Sequence, residues 1–281
     1  MKLNILLQYL VPQHALTWFA GWLSNCRWKW LKNWEIRYFI NRYAVDIQQA
    51  QLTSIDDYPT FNSFFTRLLK PGLRPIVQDK DGISCPADGG ISQIGTITGD
   101  VLLQAKGFDF TLQNLLGGSA EHARTFANGS FATIYLAPKD YHRVHMPMRG
   151  TLRETIFIPG DLFSVNQNTV CHVPNLFARN ERLVSLFETE AGPMAVILVG
   201  AMLVGSINTV WKDTLVYRKI HIEKYTGNTA ITLERGAEMG HFKMGSTVII
   251  LFPQGKVSWS SDLKENSPVH MGTAIAKILQ S

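Results

Sequence analysis

The sequence is poor in charge and in cysteine. Only 17% of its 281 residues are Asp, Glu, Lys or Arg, against about 25% in an average soluble domain. Its three cysteines, Cys26, Cys85 and Cys171, form no CxxC pair and are odd in number, which argues against a zinc knuckle or a disulfide framework. Hydrophobic residues make up 46% of the chain. We therefore expect a reducing compartment, no metal site, and an apolar neighbour besides water.

The chain also lacks an uninterrupted apolar run of membrane-spanning length. Residues 191–211 carry no charge, but Pro193, Gly200, Gly205 and Asn208 divide them, so we predict two buried strands that meet near Gly200. The apolar stretch at residues 5–11 ends at Pro12 without a small-residue cleavage site. We expect neither a signal peptide nor a spanning helix.

The basic residues are concentrated at the amino terminus. Residues 1–44 contain six Lys or Arg and one acid, Glu35, and the remainder of the chain is neutral overall. The same segment holds five of the seven tryptophans: Trp18, Trp22, Trp28, Trp30 and Trp34. Indole rings and long basic side chains suit an anionic membrane surface better than a nucleic acid. The alternative is that these aromatic side chains pack against the protein's own core.

The remaining sequence predicts an α+β fold. Short apolar segments such as MAVILVG and STVIILF alternate with Gly, Pro, Asn and Asp after residue 50, a pattern typical of an antiparallel sandwich or barrel. Thr60–Leu69 is predicted as a bridging helix. The predicted organisation is a membrane-associating helical segment over residues 1–50 and a mostly antiparallel, β-rich catalytic domain over residues 51–281.

Three short segments carry residue types that do chemistry: PADGG with Asp88, PKDYHRVHMP with His142 and His145, and FKMGSTVIILF with Gly245 and Ser246. Taken alone, Asp88 is more typical of a turn, the histidines of structural positions, and Gly-Ser-Thr of a turn before a strand. Because a charge relay is defined by geometry and not by chain order, Asp88, His145 and Ser246 could also form a triad.

The joint pattern resembles the phosphatidylserine decarboxylase family. PADGG, YHRVHMP, GDLFSVN, VPNLFARNER and the GST before the last long strand occur in the order and at the spacing of that family, over nearly the whole chain. One departure is Met244, where bacterial members usually have Leu before Gly-Ser-Thr. Met and Leu have similar volumes, so this change leaves the resemblance intact.

The resemblance implies a proenzyme that cuts itself between Gly245 and Ser246 into chains 1–245 and 246–281, which stay associated. Asp88 would orient His145, His145 would take the proton of Ser246, and Ser246 would become a pyruvoyl group. That group would form a Schiff base with phosphatidylserine and release carbon dioxide, leaving phosphatidylethanolamine. His142 would handle the substrate carboxylate or return the proton. Residues 177–182 have no definite role at this stage.

The implied partners are phosphatidylserine and anionic lipids, at the cytoplasmic face of the inner membrane, and both monomer and homodimer stay open. No external cofactor and no nucleic acid is expected. Two alternatives remain: a serine hydrolase that uses Asp88, His145 and Ser246 on an external ester or peptide, and a noncatalytic membrane-binding module. The hydrolase alternative lacks a G-x-S-x-G elbow around Ser246.

Overall fold

The structure is a computed structural model that describes residues 3–105, 107–202, 207–215, 217–243 and 246–279. The described residues form eight α-helices: α1 (Leu3–Leu10), α2 (Gln13–Ser24), α3 (Lys29–Tyr43), α4 (Phe61–Phe65), α5 (Leu112–Leu115), α6 (Ala120–Phe126), α7 (Gln167–Val170) and α8 (Leu176–Arg179). Short 3₁₀ turns lie at Ile47–Gln49, Ile55–Asp57 and Gly227–Thr229.

The strands follow the helices of the amino terminus. They are β1 (Gly82–Ser84), β2 (Gly89–Thr96), β3 (Val101–Ala105), β4 (Phe108–Thr111), β5 (Ser130–Leu136), β6 (Arg143–His145), β7 (Gly150–Ile158), β8 (Arg182–Thr189), β9 (Gly192–Val199), β10 (Ile207–Thr209), β11 (Lys212–Leu215), β12 (His221–Lys224), β13 (Ile231–Leu233), β14 (Glu238–Phe242), β15 (Ser246–Phe252), β16 (Val257–Trp259), β17 (Pro268–Val269) and β18 (Ala274–Ile278).

A nine-stranded antiparallel sheet forms the centre of the protein. Its order is β12-β7-β8-β9-β15-β5-β2-β17, and β13 also pairs with β7. Smaller sheets have the orders β11-β10-β14-β6, β1-β18-β16 and β3-β4. The predicted class, helices followed by a mostly antiparallel β-rich part, is confirmed, and the sheet does not close into a barrel.

β15 lies in the middle of the large sheet. It pairs with β9 on one side and β5 on the other, and all seven of its residues are buried. Its β-branched, apolar sequence suits a strand that is covered on both faces. The predicted strands within residues 191–211 are also present as β9 and β10, with residues 203–206 outside the described part.

The helix predicted over Thr60–Leu69 is shorter than expected. A capping box between Thr60 and Ser63 starts α4, but the helix ends at Phe65 and Leu69 instead makes an antiparallel bridge with Ala50. This bridge gives the backbone groups around Leu69 hydrogen-bond partners, so they do not require a further turn of helix. The aromatic side chains of α4 form a second hydrophobic cluster together with Ile36, Phe39, Val45 and Tyr58.

The aromatic residues of the amino-terminal helices face outward. Five tryptophans, Trp18, Trp22, Trp28, Trp30 and Trp34, are between 61% and 73% exposed. The alternative that they pack into the protein's own core is therefore wrong. Among the described helices, none is long and apolar enough to cross a bilayer. α1 is also tied to the body of the protein, because Ile5 is buried in the main core.

Candidate active site

The ends of three strands bring the chemical segments together. Ser246, the first residue of β15, pairs with Leu136 at the end of β5. The neighbouring pair, Gly90 with Tyr135, joins β5 to β2, so Asp88 lies just before β2 at the same end of the sheet. The segments of Asp88 and Ser246 therefore meet, although these two residues are 158 positions apart in the sequence.

Two backbone hydrogen bonds fix the histidine segment beside the other two. The amide of His145 donates to the carbonyl of Pro86 at 2.8 Å, and the amide of Phe242 donates to the carbonyl of His142 at 3.2 Å. The first contact attaches β6 to the PADGG turn, and the second attaches it to the strand that precedes Ser246. Both histidines are thus held next to the predicted cleavage segment.

Ser246 is fully buried, and its hydroxyl has no hydrogen-bond partner within the described residues. A buried hydroxyl without a partner costs free energy, typically about 1 to 3 kcal/mol. Such a group is an exception among native side chains and is more common at functional positions. Gly245 and Met244 lie outside the described residues.

His145 is held in one tautomer by the backbone. Its Nδ1 lies 2.8 Å from the carbonyl oxygen of Gly236, and since a carbonyl only accepts, Nδ1 carries the hydrogen. Nε2 then accepts from the hydroxyl of Tyr141 at 3.2 Å. Burial lowers the pKa of His145, while the Gly236 hydrogen bond and the charge of Glu238 raise it. The neutral ring presents Nε2 as a base at neutral pH.

Asp88 is engaged by other groups. Its carboxylate accepts from Nε of Arg74 at 2.9 and 3.0 Å and from the amide of Met271 at 2.8 Å. Within the described part of the chain, the contact that orients His145 comes from Gly236 and not from Asp88. Asp88 acts on His145 through its charge, which raises the pKa of the imidazole.

His142 is more deeply enclosed than His145. Its Nδ1 donates to the carbonyl of Asp140 at 2.9 Å, and its ring centre lies 4.1 Å from that of Phe65. Nε2 is buried and has no partner among the described residues. Burial lowers the pKa of His142 to about 3, so the ring is neutral and Nε2 is available as an acceptor.

The segment at residues 177–182 supports the neighbouring strand. Asn180 donates to the carbonyl of Gly200 at 2.8 Å, and Arg182 donates to the carbonyls of Leu115 and Asn180. Because Val199 pairs with Thr247, Gly200 lies beside Ser246. The pKa of Glu181 is raised to about 7 by burial. This segment therefore fixes the strand end next to Ser246.

A cavity of about 600 Å³ lies along the amino-terminal helices. Trp18, Trp22 and Trp28 line it on the helical side, and Lys243 lines it three residues before Ser246. The cavity therefore places exposed aromatic side chains and Lys243 on one concave surface. Among the described residues, no group of three or more His, Cys, Asp or Glu side chains is arranged to hold a metal ion.

Sequence comparison agrees with this arrangement. The profile of the family described as phosphatidylserine decarboxylase matches residues 61–277. The chain belongs to this family. A second profile, described as PSD, matches residues 3–44, so the family resemblance extends to the exposed helices.

Curated family members match over nearly their full length. A phosphatidylserine decarboxylase proenzyme of Pseudomonas fluorescens is 51% identical over 280 residues, which cover 98% of both chains. Those of Pseudomonas aeruginosa and Alcanivorax borkumensis are each 50% identical, with coverage of 98% and 94% of the relative and of 100% and 96% of this chain. The family predicted from the motifs is confirmed.

Sequence reasoning missed three residues of the site. Arg74 binds Asp88, Tyr141 contacts His145, and Arg67 lines a polar cavity beside them. Tyr141 lies inside the YHRVH motif, so its position next to the histidines was a usable signal. Arg67 and Arg74 have no such signal, because only the fold brings the segment after α4 to the PADGG turn.

Proposed function

We propose that the chain is the proenzyme of a phosphatidylserine decarboxylase, which cuts itself between Gly245 and Ser246 and converts Ser246 into a pyruvoyl group. The observation that carries this proposal is the buried, unpartnered hydroxyl of Ser246 in the segment to which backbone hydrogen bonds attach the two histidines, in a member of this family. Neither the serine hydrolase nor the noncatalytic module is favoured by a specific observation.

Self-cleavage begins with the Ser246 hydroxyl. His145 Nε2 takes its proton and the oxygen attacks the carbonyl carbon of Gly245, so the peptide bond becomes an ester through an acyl shift. Removal of the α-proton of residue 246 then expels the Gly245 carboxylate by β-elimination. The dehydroalanine left at residue 246 adds water and loses ammonia, which yields the pyruvoyl group. Water is the only co-reactant that these steps consume.

His145 acts as the base through Nε2 because its Nδ1 is fixed by a hydrogen bond. With Nδ1–H committed to Gly236, only Nε2 can accept a proton. Tyr141 occupies Nε2 before the reaction, so its hydroxyl must turn away or pass a proton from Ser246 to His145. Asp88 stabilises the imidazolium through its charge, and Arg74 together with the Met271 amide holds that carboxylate in place.

The setting of Ser246 fits a pyruvoyl group, since the side chain is buried and few polar groups compete for it. When formed, the group supplies an electron sink for the loss of carbon dioxide from an amine-linked substrate. We assign His142 Nε2 to contact with the substrate. A substrate carboxylate close to Nε2 would raise the pKa of the imidazole and favour the protonated form of His142. The same ring can then return a proton to the carbon that has lost carbon dioxide.

The two chains are expected to stay together after the cut. β15 is hydrogen-bonded on both sides to strands of the larger chain, and β17 and β18 pair with β2 and β1. The smaller chain therefore contributes a central strand and part of two sheets. Separating the chains would expose the buried strand and break these ladders.

The exposed helices are the proposed membrane contact. Their aromatic side chains and the basic residues of the first 44 positions suit the headgroup region of an anionic bilayer. The protein would then lie on the cytoplasmic face of the inner membrane. Phosphatidylserine would reach the reactive group through the apolar cavity that Trp22, Trp28 and Lys243 line.

The experiment is to purify the protein under native conditions and measure its intact mass and its release of carbon dioxide from phosphatidylserine vesicles. We expect two chains that elute together natively and separate only in denaturant, and carbon dioxide release by this preparation. A single uncut chain that hydrolyses esters would support the hydrolase. Vesicle binding without carbon dioxide release would support the noncatalytic module.

A further inference from the structure

A second cavity, of about 210 Å³, lies beside the histidines. It is formed by the segment after α3, the residues that follow α4, and the turn between β5 and β6. Its polar lining includes Arg67, Arg74, Asp88, Lys139, Asp140 and Tyr141. The cavity is too small for a lipid with two acyl chains and has the size of a headgroup.

Arg67 is the unusual member of this lining. Its side chain is only 5% exposed, and its Nη2 donates to the carbonyls of Lys139 and Asp140 at 3.0 and 3.4 Å. Its Nε and Nη1 are buried and have no hydrogen-bond partner among the described residues. A guanidinium has five N–H donors and remains charged in proteins, so unpartnered buried donors are costly.

No described carboxylate that faces this cavity accepts a hydrogen bond from Arg67: burial lowers the pKa of its guanidinium, and the charges of Asp140 and Asp88 offset this only in part. Asp88 accepts from Arg74 and the Met271 amide. Asp46 is at the exposed rim and accepts from Gln48 and Gln49. Asp140 accepts from the amide of Ala137 at 2.7 Å, and burial raises the pKa of its carboxyl, which weakens its anionic form.

Two basic side chains besides the arginines belong to the lining. Lys139 and His270 are both exposed at the rim, and Nδ1 of His270 lies 3.8 Å from Asp88. Neither reaches the unpartnered donors of Arg67, which are themselves cationic. Within this lining, Arg67 is the residue whose Nε and Nη1 have no hydrogen-bond partner among the described residues.

We propose that this cavity binds the phosphodiester of the lipid headgroup, with the guanidinium of Arg67 as its donor. This inference rests on the proposed decarboxylase function. The cavity adjoins the reactive groups, because Tyr141 lines it and contacts His145, and Phe65, two residues before Arg67, contacts His142. A planar guanidinium also matches two oxygens of a phosphate.

The chemistry of decarboxylation favours the phosphodiester over the carboxylate as the partner of Arg67. Negative charge leaves the carboxylate as carbon dioxide departs, so a tight ion pair there would stabilise the ground state more than the transition state. The charge of the phosphodiester does not change during the reaction. Arg67 therefore contributes uniform binding, and losing it should raise KM while leaving kcat nearly constant.

The test compares three soluble probes, glycerophosphoethanolamine, free serine and inorganic phosphate, by ligand-observed NMR titration of the purified protein. Arg67→Gln should weaken the binding of glycerophosphoethanolamine by roughly 10- to 100-fold, the range for a lost charge-assisted hydrogen bond. The binding of serine should not change. The control is Arg149→Gln, which removes an exposed arginine outside the cavity and should alter neither affinity.

The opposite pattern, weaker serine and unchanged glycerophosphoethanolamine, would show that Arg67 holds a carboxylate and would overturn the proposal. Inorganic phosphate that binds as tightly as glycerophosphoethanolamine would mean that the site takes a free phosphate and not a headgroup. Unchanged binding of all three probes would make Arg67 a structural residue. These titrations do not depend on turnover, so a failure of the decarboxylase proposal would be seen separately.

Arg67 also braces the turn at residues 139 and 140, so its replacement could prevent folding. A measurement on the unaltered protein covers that case. Methyl-esterifying the phosphodiester of glycerophosphoethanolamine removes its charge and should weaken binding at least tenfold if a guanidinium recognises it. Equal affinity of the charged and neutral forms would contradict the assignment.

Discussion

The amino-terminal helices and the central sheet use similar apolar residues in opposite ways. In α2 and α3 the tryptophans are mostly exposed, whereas every residue of β15 is buried. The helices keep an apolar surface available to a partner, and the sheet excludes water from one serine. The difference teaches that apolar composition alone does not locate the core: the 46% of hydrophobic residues include both exposed helical side chains and a strand that is buried throughout.

The largest expected effect comes from replacing Ser246, the first residue of β15. Ser246→Ala should remain full length and inactive, because no hydroxyl is left to attack the Gly245 carbonyl. Thr247→Val is the matched control: Thr247 is also buried with an unpartnered hydroxyl, and valine preserves its shape. Electrophoresis of both variants decides the matter, and a cut Ser246→Ala chain would end the proposed mechanism.

The two histidines are expected to divide the work of the buried site. His145→Ala should accumulate as uncut precursor, since Ser246 loses its base. His142→Ala should be cut normally and lose roughly 100- to 10,000-fold in turnover, the usual worth of general acid–base catalysis.

Chain cleavage and carbon dioxide release should be measured separately for these two variants at one pH. Cleavage of His145→Ala together with accumulation of uncut His142→Ala would reverse the assignment. Normal cleavage and turnover in both variants would remove both histidines from the mechanism.

The exposed surface is tested by substitutions and not by truncation. Removing residues 1–34 would also remove Ile5 from the main core and the contacts of Gln13 and His14 with residues 160–162. Replacing Trp18, Trp22 and Trp30 together by Gln should leave cleavage intact and weaken sedimentation with anionic liposomes at least tenfold. Each indole that enters the bilayer contributes roughly 1 kcal/mol or more to binding.

The control for these substitutions is Trp259→Phe. Trp259 packs against Phe252 inside the protein, so its replacement should lower thermal stability without changing liposome binding. Undiminished sedimentation of the triple variant would mean that another surface contacts the membrane.

The smallest expected effect concerns Glu181 beside the reactive strand. The folded protein raises its pKa from about 4.5 to about 7, so Glu181 lowers stability progressively as the pH rises between these values. Glu181→Gln should remove this loss, and above pH 7 it should be more stable by at most about 3 kcal/mol.

Denaturant unfolding of Ser246→Ala with and without Glu181→Gln, at pH 5 and pH 8, measures this difference on an uncut chain. Equal pH dependence in both proteins would show that Glu181 does not titrate in this range.

Much of the fold was predictable because it depends on local patterns. The apolar runs of β9 and β15 indicate strands that are covered on both faces, and the tryptophans with their basic neighbours indicate a surface segment. The end of α4 at Phe65 was not predictable, because it depends on a bridge between Ala50 and Leu69. The pattern of apolar and polar residues along the sequence indicates which side chains are buried. It does not indicate which distant segment pairs with a given stretch of backbone.

The segments that form the candidate site were predictable, but their contacts were not. Motifs identified Asp88, His142, His145 and Ser246, and the fold brings their segments to one end of the sheet. The hydrogen bonds differ from a simple relay, because Arg74 holds Asp88 and the Gly236 carbonyl orients His145. These partners come from segments far away in the sequence, where spacing contains no information about side-chain direction.

The most direct test of the account is the mass of the small chain in freshly purified protein. The account predicts a fragment of residues 246–281 whose first residue is lighter than serine by one ammonia, and which gains the mass of a substrate adduct after reduction with cyanoborohydride in the presence of phosphatidylserine. A fragment from an active preparation that begins with unmodified Ser246, or an active chain that is not cut at all, would contradict it.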